Sequence, residues 1–260
     1  MNIYEIYDNQ KIFTNYIADI ALNTKNFILK YSKKNYILGS KLLEANLALI
    51  NRVGKEYNRQ NWEFNFQIEN SNILVKEAVI DSKPFCKLIE FKRLTENHNL
   101  LERLNNQPKV LIIAPLSGHF ATLLNDTVSI MLQDHNVFIT DWEDAKNVPI
   151  EHGSFSLDTY VSYVQDFIRK FDKVHLMAVC QPTVPSLATV SLTATNNEKL
   201  PESLILMAGP IDPRKNPTEV NRLATSKDIN WFKNNLIYKV PASLVEKYIQ
   251  DFYSYQHLFL

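Results

Sequence analysis

The stretch HLMAVCQPTVPSL, residues 175–187, decides the fold of this chain of 260 residues. Its first half is an apolar run that ends at Cys180, and a glutamine and a proline follow where a strand would have to continue. Pro182 suits the first turn of a helix, where its missing N–H costs little. Small Ala178 permits close packing before the turn. The stretch therefore predicts a buried strand, a sharp turn at Cys180 and a helix that begins directly after it.

Short apolar runs of the same kind occur elsewhere in the chain. Runs that are apolar nearly throughout suit parallel strands covered on both faces, and they predict strands at about 109–115, 136–141, 173–179 and 203–208. Two further strands are expected in NFQIEN and CKLIEFKRL, and helices at 119–132 and 157–171. Strands that alternate with helices indicate βαβ units, so we expect an α/β fold with a mostly parallel sheet.

The first part of the chain has a different pattern. Up to about Tyr57, apolar residues recur at helical spacing, as at Ile12, Tyr16 and Ile20. We expect a helical N-terminal arm at 1–60 and an α/β domain at 61–260, of which 216–260 begins a cap or tail region. Such an arm packs on its own domain or lies on an apolar surface, and the sequence leaves both open.

Composition excludes several classes of partner. Lys plus Arg and Asp plus Glu number 28 each, so no net field attracts nucleic acid, an anionic membrane or a polyanionic substrate. The two cysteines, Cys86 and Cys180, are too few for a disulfide framework and lack the spacing of a zinc site. No signal peptide begins the chain and no apolar run reaches about 18 residues. We expect a cytoplasmic protein with no transmembrane segment, no metal and a neutral or apolar partner.

Cys180 follows a strand and precedes a helix, which is where function gathers in a parallel α/β sheet. Such a turn exposes a nucleophile, and the amides at the helix N-terminus favour a thiolate and stabilise an oxyanion. The usual elbow pattern G-x-S-x-G is replaced by AVCQP at 178–182. Because cysteine is also among the most often buried residues, these residues alone leave a nucleophile and a core sulfur as alternatives.

A second strand end has a similar pattern, in LIIAPLSGHFATLL at 111–124. A loop of this kind supplies one N–H of an oxyanion hole, here from Leu116 or Ser117, and the amide of Gln181 supplies the other. Ser117 as a helix N-cap and His119 as a half-exposed helix residue are the structural alternatives.

Several long motifs, APLSGHFATLL, VFITDWEDAKNVP, AVCQPTVP and MAGPIDPRKNPTEVNRLA, together resemble the intracellular poly(3-hydroxybutyrate) depolymerases. GKEYNRQ and KPFCKLIEFKR upstream and WFKNNLIYKVP downstream follow the order of the same family. The resemblance implies an α/β-hydrolase fold, Cys180 as nucleophile and no cofactor. It also implies hydrolysis of a polyhydroxyalkanoate stored in cytoplasmic granules, or of short hydroxyacyl esters.

The expected partners of the nucleophile have no matching positions. In α/β hydrolases an acid and then a histidine follow the nucleophile, but after Cys180 the chain has His257 alone, near its end. Asp212 can act as an acid, yet before Pro213 it more commonly forms a turn. We therefore expect an N-terminal fragment whose sheet is incomplete after about the sixth strand, and which a second polypeptide can complete.

Two other functions stay open. The first is a catalytically inactive protein that coats polymer granules through its helical arm, and binding without turnover would single it out. The second is a polyester synthase or thioesterase-like acyl transferase, although the CQP turn is unlike the synthase pattern.

Overall fold

The computed structural model describes residues 66–116 and 121–228, with single positions outside these ranges at 13, 14, 16, 17, 19, 20, 22, 23, 46, 49, 61, 62, 64, 230 and 231. The chain divides into two compact units, one of 1–58 with 229–245 and one of 59–228 with 246–260. Every described residue of the first unit is helical. The division into an arm at 1–60 and a domain at 61–260 stays a prediction.

The second unit is built on an open, mixed β-sheet. Its strands are β1 Phe66–Ile68, β2 Ser71–Lys83, β3 Cys86–Leu94, β4 Lys109–Ile113, β5 Asn136–Trp142, β6 His175–Val179 and β7 Ser203–Met207. The order across the sheet is β1-β2-β3-β5-β4-β6-β7. β5, β4, β6 and β7 are parallel, whereas β1, β2 and β3 join antiparallel. The predicted α/β class and the four predicted parallel strands are confirmed.

Helices connect these strands. The described α-helices are α1 His98–Asn105, α2 Asn125–Met131, α3 Leu157–Arg169, α4 Thr183–Thr195 and α5 Glu219–Ser226, and 3-10 turns occupy Ala121–Leu124, Ala145–Asn147 and Ile150–His152. α3 begins where the Ser156 side chain accepts a hydrogen bond from the Thr159 amide, which satisfies one of the free amides of the first turn. In the described part of the chain no helix is long and apolar enough to span a membrane.

The sheet has one strand more than the sequence analysis expected. β2 is 13 residues long and was missed because its residues alternate between half-buried and exposed positions and include Lys76, Glu77 and Asp81. Such a strand, covered on one face only, has no continuous apolar run. SLILM, expected as the sixth strand, is therefore the seventh.

The central strands are buried because both faces of the sheet are covered. Alternate residues of β4 and β6, such as Ile113 and Ala178, contribute to one hydrophobic cluster together with α3. The intervening residues, such as Ile112 and Met177, contribute to a second cluster together with α2. Parallel strands fixed in this way end at one edge of the sheet, and that edge carries the candidate site.

Candidate active site

Cys180 occupies the turn between β6 and α4. Its thiol is exposed, and its φ of 66° lies in the left-handed region that favours glycine. Its amide donates to the Met207 carbonyl at 2.7 Å, which ties the turn to the end of β7. A non-glycine residue in this conformation costs roughly 1–2 kcal/mol. Such strain at an exposed cysteine is typical of a functional site rather than of a core sulfur.

Thr183 hydrogen-bonds to this turn, and Gly209 packs closely against Thr183. The Cys180 carbonyl accepts hydrogen bonds from the Thr183 hydroxyl at 2.8 Å and from the Thr183 amide at 3.2 Å. Thr183 is fully buried, and a Cβ built on Gly209 would lie 1.6 Å from its Oγ1 atom. The residue before Gly209, Ala208, also has a positive φ, of 52°. The ends of β6 and β7 therefore form one strained, closely packed corner.

The end of β4 lies directly beside this corner. Ile113 pairs with Ala178 in the register of β4 and β6, so extension of that register brings Pro115 level with Cys180 and Leu116 just beyond it. The backbone of Ala114 is held by β5: its amide donates to the Thr140 hydroxyl at 2.9 Å and its carbonyl accepts from the Trp142 indole at 2.9 Å. The structure thus brings Leu116 to the same edge as Cys180, as the loop argument requires.

Of the predicted oxyanion donors, Gln181 and Leu116 lie within the described residues. The amide of Gln181, one residue before the N-cap Pro182 of α4, makes no backbone hydrogen bond within the described ranges. Its side-chain Oε1 atom is buried and has no hydrogen-bond partner among the described residues. Ser117 and His119 fall within 117–120, outside the described residues, so their roles stay predictions.

The predicted acid and base are not brought to Cys180 by any described contact. Asp212 forms an ion pair with Arg214, Nε to Oδ1 at 2.8 Å, and the Arg214 guanidinium lowers the pKa of the Asp212 carboxyl. The Asp212 carbonyl accepts from the Lys215 amide at 3.1 Å, so the residue forms the turn that was its alternative role. His257 lies outside the described residues. The triad of Cys180, His257 and Asp212 remains untested.

The other cysteine has an opposite environment. Cys86 is fully buried at the start of β3, opposite Trp142 of β5. Burial, and after it the nearby Asp141 carboxylate, raises the pKa of the Cys86 thiol well above its usual value. Of the two cysteines, only Cys180 is exposed.

A comparison with known protein families concerns the segment that follows β7. The family description "PHB de-polymerase C-terminus" matches residues 208–253, a segment that begins at the strained Ala208 and overlaps the motifs MAGPIDPRKNPTEVNRLA and WFKNNLIYKVP. The predicted resemblance to the PHB depolymerases is confirmed. The open, mixed sheet with helices on both faces agrees with the α/β class predicted from the sequence.

Solved structures similar to this chain include hydrolases. A thioesterase domain from the curacin biosynthetic pathway is 16% identical, with a TM-score of 0.39 over 58% of this chain and 50% of its own. A putative esterase from Staphylococcus aureus is 14% identical, with a TM-score of 0.41 over 88% of this chain and 70% of its own. The chain thus spans half the length of that thioesterase domain. No curated protein matches the chain.

Sequence reasoning missed the supports of the site. Thr140, Trp142 and Gly209 were not singled out, although each fixes the backbone at the end of a central strand. The one signal in the sequence is the Gly-Pro pair at 209–210 directly after an apolar run. The contact between Gly209 and Thr183 joins residues from two different turns, so no local pattern indicates it.

Proposed function

We propose that this chain is an ester hydrolase that acts on poly(3-hydroxybutyrate)-type polyesters, with Cys180 as its nucleophile. The observation that carries the proposal is the exposed Cys180 at a φ of 66°, between the end of β6 and the start of α4. The match of residues 208–253 supports the polyester as substrate class. Zero net charge suits an uncharged polymer.

The reaction has two steps that balance without a cofactor. In the first, the sulfur of Cys180 attacks the ester carbonyl carbon, the C–O bond breaks, and the thiol proton ends on the leaving alcohol. In the second, water attacks the resulting thioester, releases a hydroxy acid and returns the proton to sulfur. In this proposal the amide of Gln181 and that of Leu116 or Ser117 stabilise the negative oxygen of each tetrahedral intermediate.

Both steps need a group that accepts and returns a proton. A positioned general base typically contributes about 10²- to 10⁴-fold in rate. Within the chain, His257 with Asp212 is the candidate pair, and a histidine from a second polypeptide is the alternative. In the second case the turnover rate depends on the concentration of the second polypeptide. In the first case the chain turns over ester without a partner.

Binding of polymer without turnover is the second candidate function. Phe13, Tyr16 and Ile20 lie at helical spacing in the first unit and have 64%, 66% and 50% of their surface exposed. Large exposed apolar residues at helical spacing favour contact with an apolar surface. Location on granules in the cytoplasm belongs to this proposal.

Ester turnover by the purified full chain and its C180A variant tests the proposal. Because the acid and the base of the nucleophile have no matching positions in the chain, we expect the chain alone to release 3-hydroxybutyrate only slowly from an activated 3-hydroxybutyrate ester, and C180A to lose even this activity. H257A and D212A tell whether the base lies in the chain. Undiminished turnover by C180A would contradict the proposal, and binding of polymer by both proteins without turnover would favour the second function.

A further inference from the structure

A surface cavity of about 430 Å³ lies beside the far end of the sheet edge that carries Cys180. It is formed by the turn between β2 and β3 and by the segment that follows β5. Pro84 belongs to the first and Val148 and Pro149 to the second. None of these residues takes part in the site described above, so the cavity has no assigned role.

The registers of the strands place this cavity in line with the nucleophile. Ile113 pairs with Ala178, so Cys180 is level with Pro115, just after β4. Ile112 pairs with Ile139, so Pro115 is level with Trp142, and Trp142 pairs with Cys86. Cys180 and the start of β3 are thus at the same height, three strand spacings apart, which is about 14 Å. The cavity opens just beyond that last position.

The strand ends between Cys180 and the cavity form a row of apolar side chains. Leu116 and Trp142 are half-buried and both pack on the hydrophobic cluster beneath. The Trp142 indole stacks on Tyr160 with ring centroids 4.5 Å apart, and its N–H is engaged by Ala114. Trp142 therefore offers a fixed apolar surface and no free donor in the middle of the row.

The cavity itself combines apolar walls with hydrogen-bond donors. Asn147 and His152 are exposed at one side, and Ser82 and Lys87 lie at the other. The ammonium of Lys87 is paired with Glu143 at 3.3 Å. The hydroxyl, amide and imidazole groups of this lining can each donate a hydrogen bond to a carbonyl oxygen, and the charged groups are paired, which suits a neutral ligand that accepts hydrogen bonds.

The second cation of the cavity is also neutralised. The Lys83 ammonium lies 2.7 Å from the Asp166 carboxylate and 4.9 Å from the centre of the Tyr163 ring. Little net field is left to select an anion, so a carboxylate is a poorer fit than an ester.

We infer that this cavity is a remote subsite for a linear oligoester, whose chain runs from Cys180 over Leu116 and Trp142 to Asn147 and His152. The inference rests on the proposed function for the identity of the ligand. An extended ester unit of four backbone atoms spans roughly 4.5 Å, a third more than a three-atom peptide residue. About three units therefore cover the row, and the fourth enters the cavity. The enzyme thus favours chains of about four units or more over single esters.

Binding of capped oligomers to the inactive full chain tests this inference. The ligands are methyl esters of one to six linked 3-hydroxybutyrate units, titrated by calorimetry into C180A. We expect affinity to rise with length and to level off at about four units. The double variant N147A/H152A in the C180A chain removes two donors but leaves the Lys87–Glu143 pair intact. It should lose about 5- to 30-fold in affinity for the tetramer and none for the monomer.

The matched control is H98A/N105A in the same background. His98 and Asn105 are exposed in α1, which enters β4 from the opposite edge of the sheet, so tetramer affinity should not change. Equal affinity of monomer and tetramer for C180A would overturn the inference, as would an undiminished gain with length in N147A/H152A. If the chain with intact Cys180 hydrolyses no ester while this pattern holds, the proposed function fails and the subsite stands.

Discussion

Replacement of Gly209 by alanine is the sharpest test of the corner that holds Cys180. The new Cβ would lie 1.6, 2.3 and 2.4 Å from the Oγ1, Cβ and Cγ2 atoms of Thr183. All three separations are far below contact distance, and Thr183 is fully buried, so its side chain cannot turn away into solvent. The turn must shift, and the hydrogen bond from Thr183 to the Cys180 carbonyl is lost.

Overpacking of this kind costs about 1–3 kcal/mol, and a lost hydrogen bond adds about 1 kcal/mol. G209A should therefore unfold at lower denaturant, with its free energy of unfolding reduced by roughly 2–4 kcal/mol. The shift should also slow acylation of Cys180 by an activated ester about ten- to a hundred-fold, because the sulfur no longer points at the bound carbonyl.

G153A is the matched control. Gly153 has φ 77° and ψ −166°, a conformation that essentially only glycine adopts, and nothing lies within 4 Å of a built Cβ, so alanine there costs roughly 1–3 kcal/mol through backbone strain alone. It should lower stability and leave acylation of Cys180 unchanged. The packing argument is wrong if G209A is as stable as the parent chain, or if both variants slow acylation equally.

Three further predictions concern single residues. C180G should be more stable than C180A by roughly 0.5–1 kcal/mol in denaturant unfolding, because only glycine accepts the positive φ without strain; A208G should gain similarly, and an unstable C180G would argue against strain. The raised pKa of Cys86 keeps its thiol protonated in the folded state, whereas the thiol of the unfolded chain ionises above about pH 8.5. The free energy of unfolding of the parent chain, relative to C86A, should therefore fall above that pH, by at most about 1.4 kcal/mol per pH unit. A rise of this difference with pH would contradict the prediction. R93M should lose roughly 2–5 kcal/mol in the same assay, since buried Arg93 donates to two backbone carbonyls, while alkylation of Cys180 stays unchanged.

The sequence predicted those parts of the fold that have a local pattern. β4, β5 and β6 are covered on both faces, so their apolar runs identify them within about two residues. β2 escaped because its half-exposed residues include charges. Its partner β3 was recognised, since most of its residues are buried.

The candidate site divides in the same way. The strand, turn and helix around Cys180 follow from the apolar run and Pro182, and the structure places β6 and α4 there. The hydrogen bond from Cys180 to Met207 and the contact of Gly209 with Thr183 depend on the pairing of β6 with β7. The row from Cys180 to Cys86 depends on the registers of four strands. Such relations between distant residues follow from tertiary packing, which no local pattern contains.

The formation of an acyl-enzyme on Cys180 tests the central claim most directly. The full chain is exposed to an activated 3-hydroxybutyrate ester, and intact mass spectrometry with peptide mapping locates the adduct. Because Cys86 is buried and its thiol protonated, we predict one hydroxybutyryl group per chain, on Cys180, and none in C180A. Ester turnover with no adduct on Cys180 under rapid quenching, together with undiminished turnover by C180A, would contradict the account.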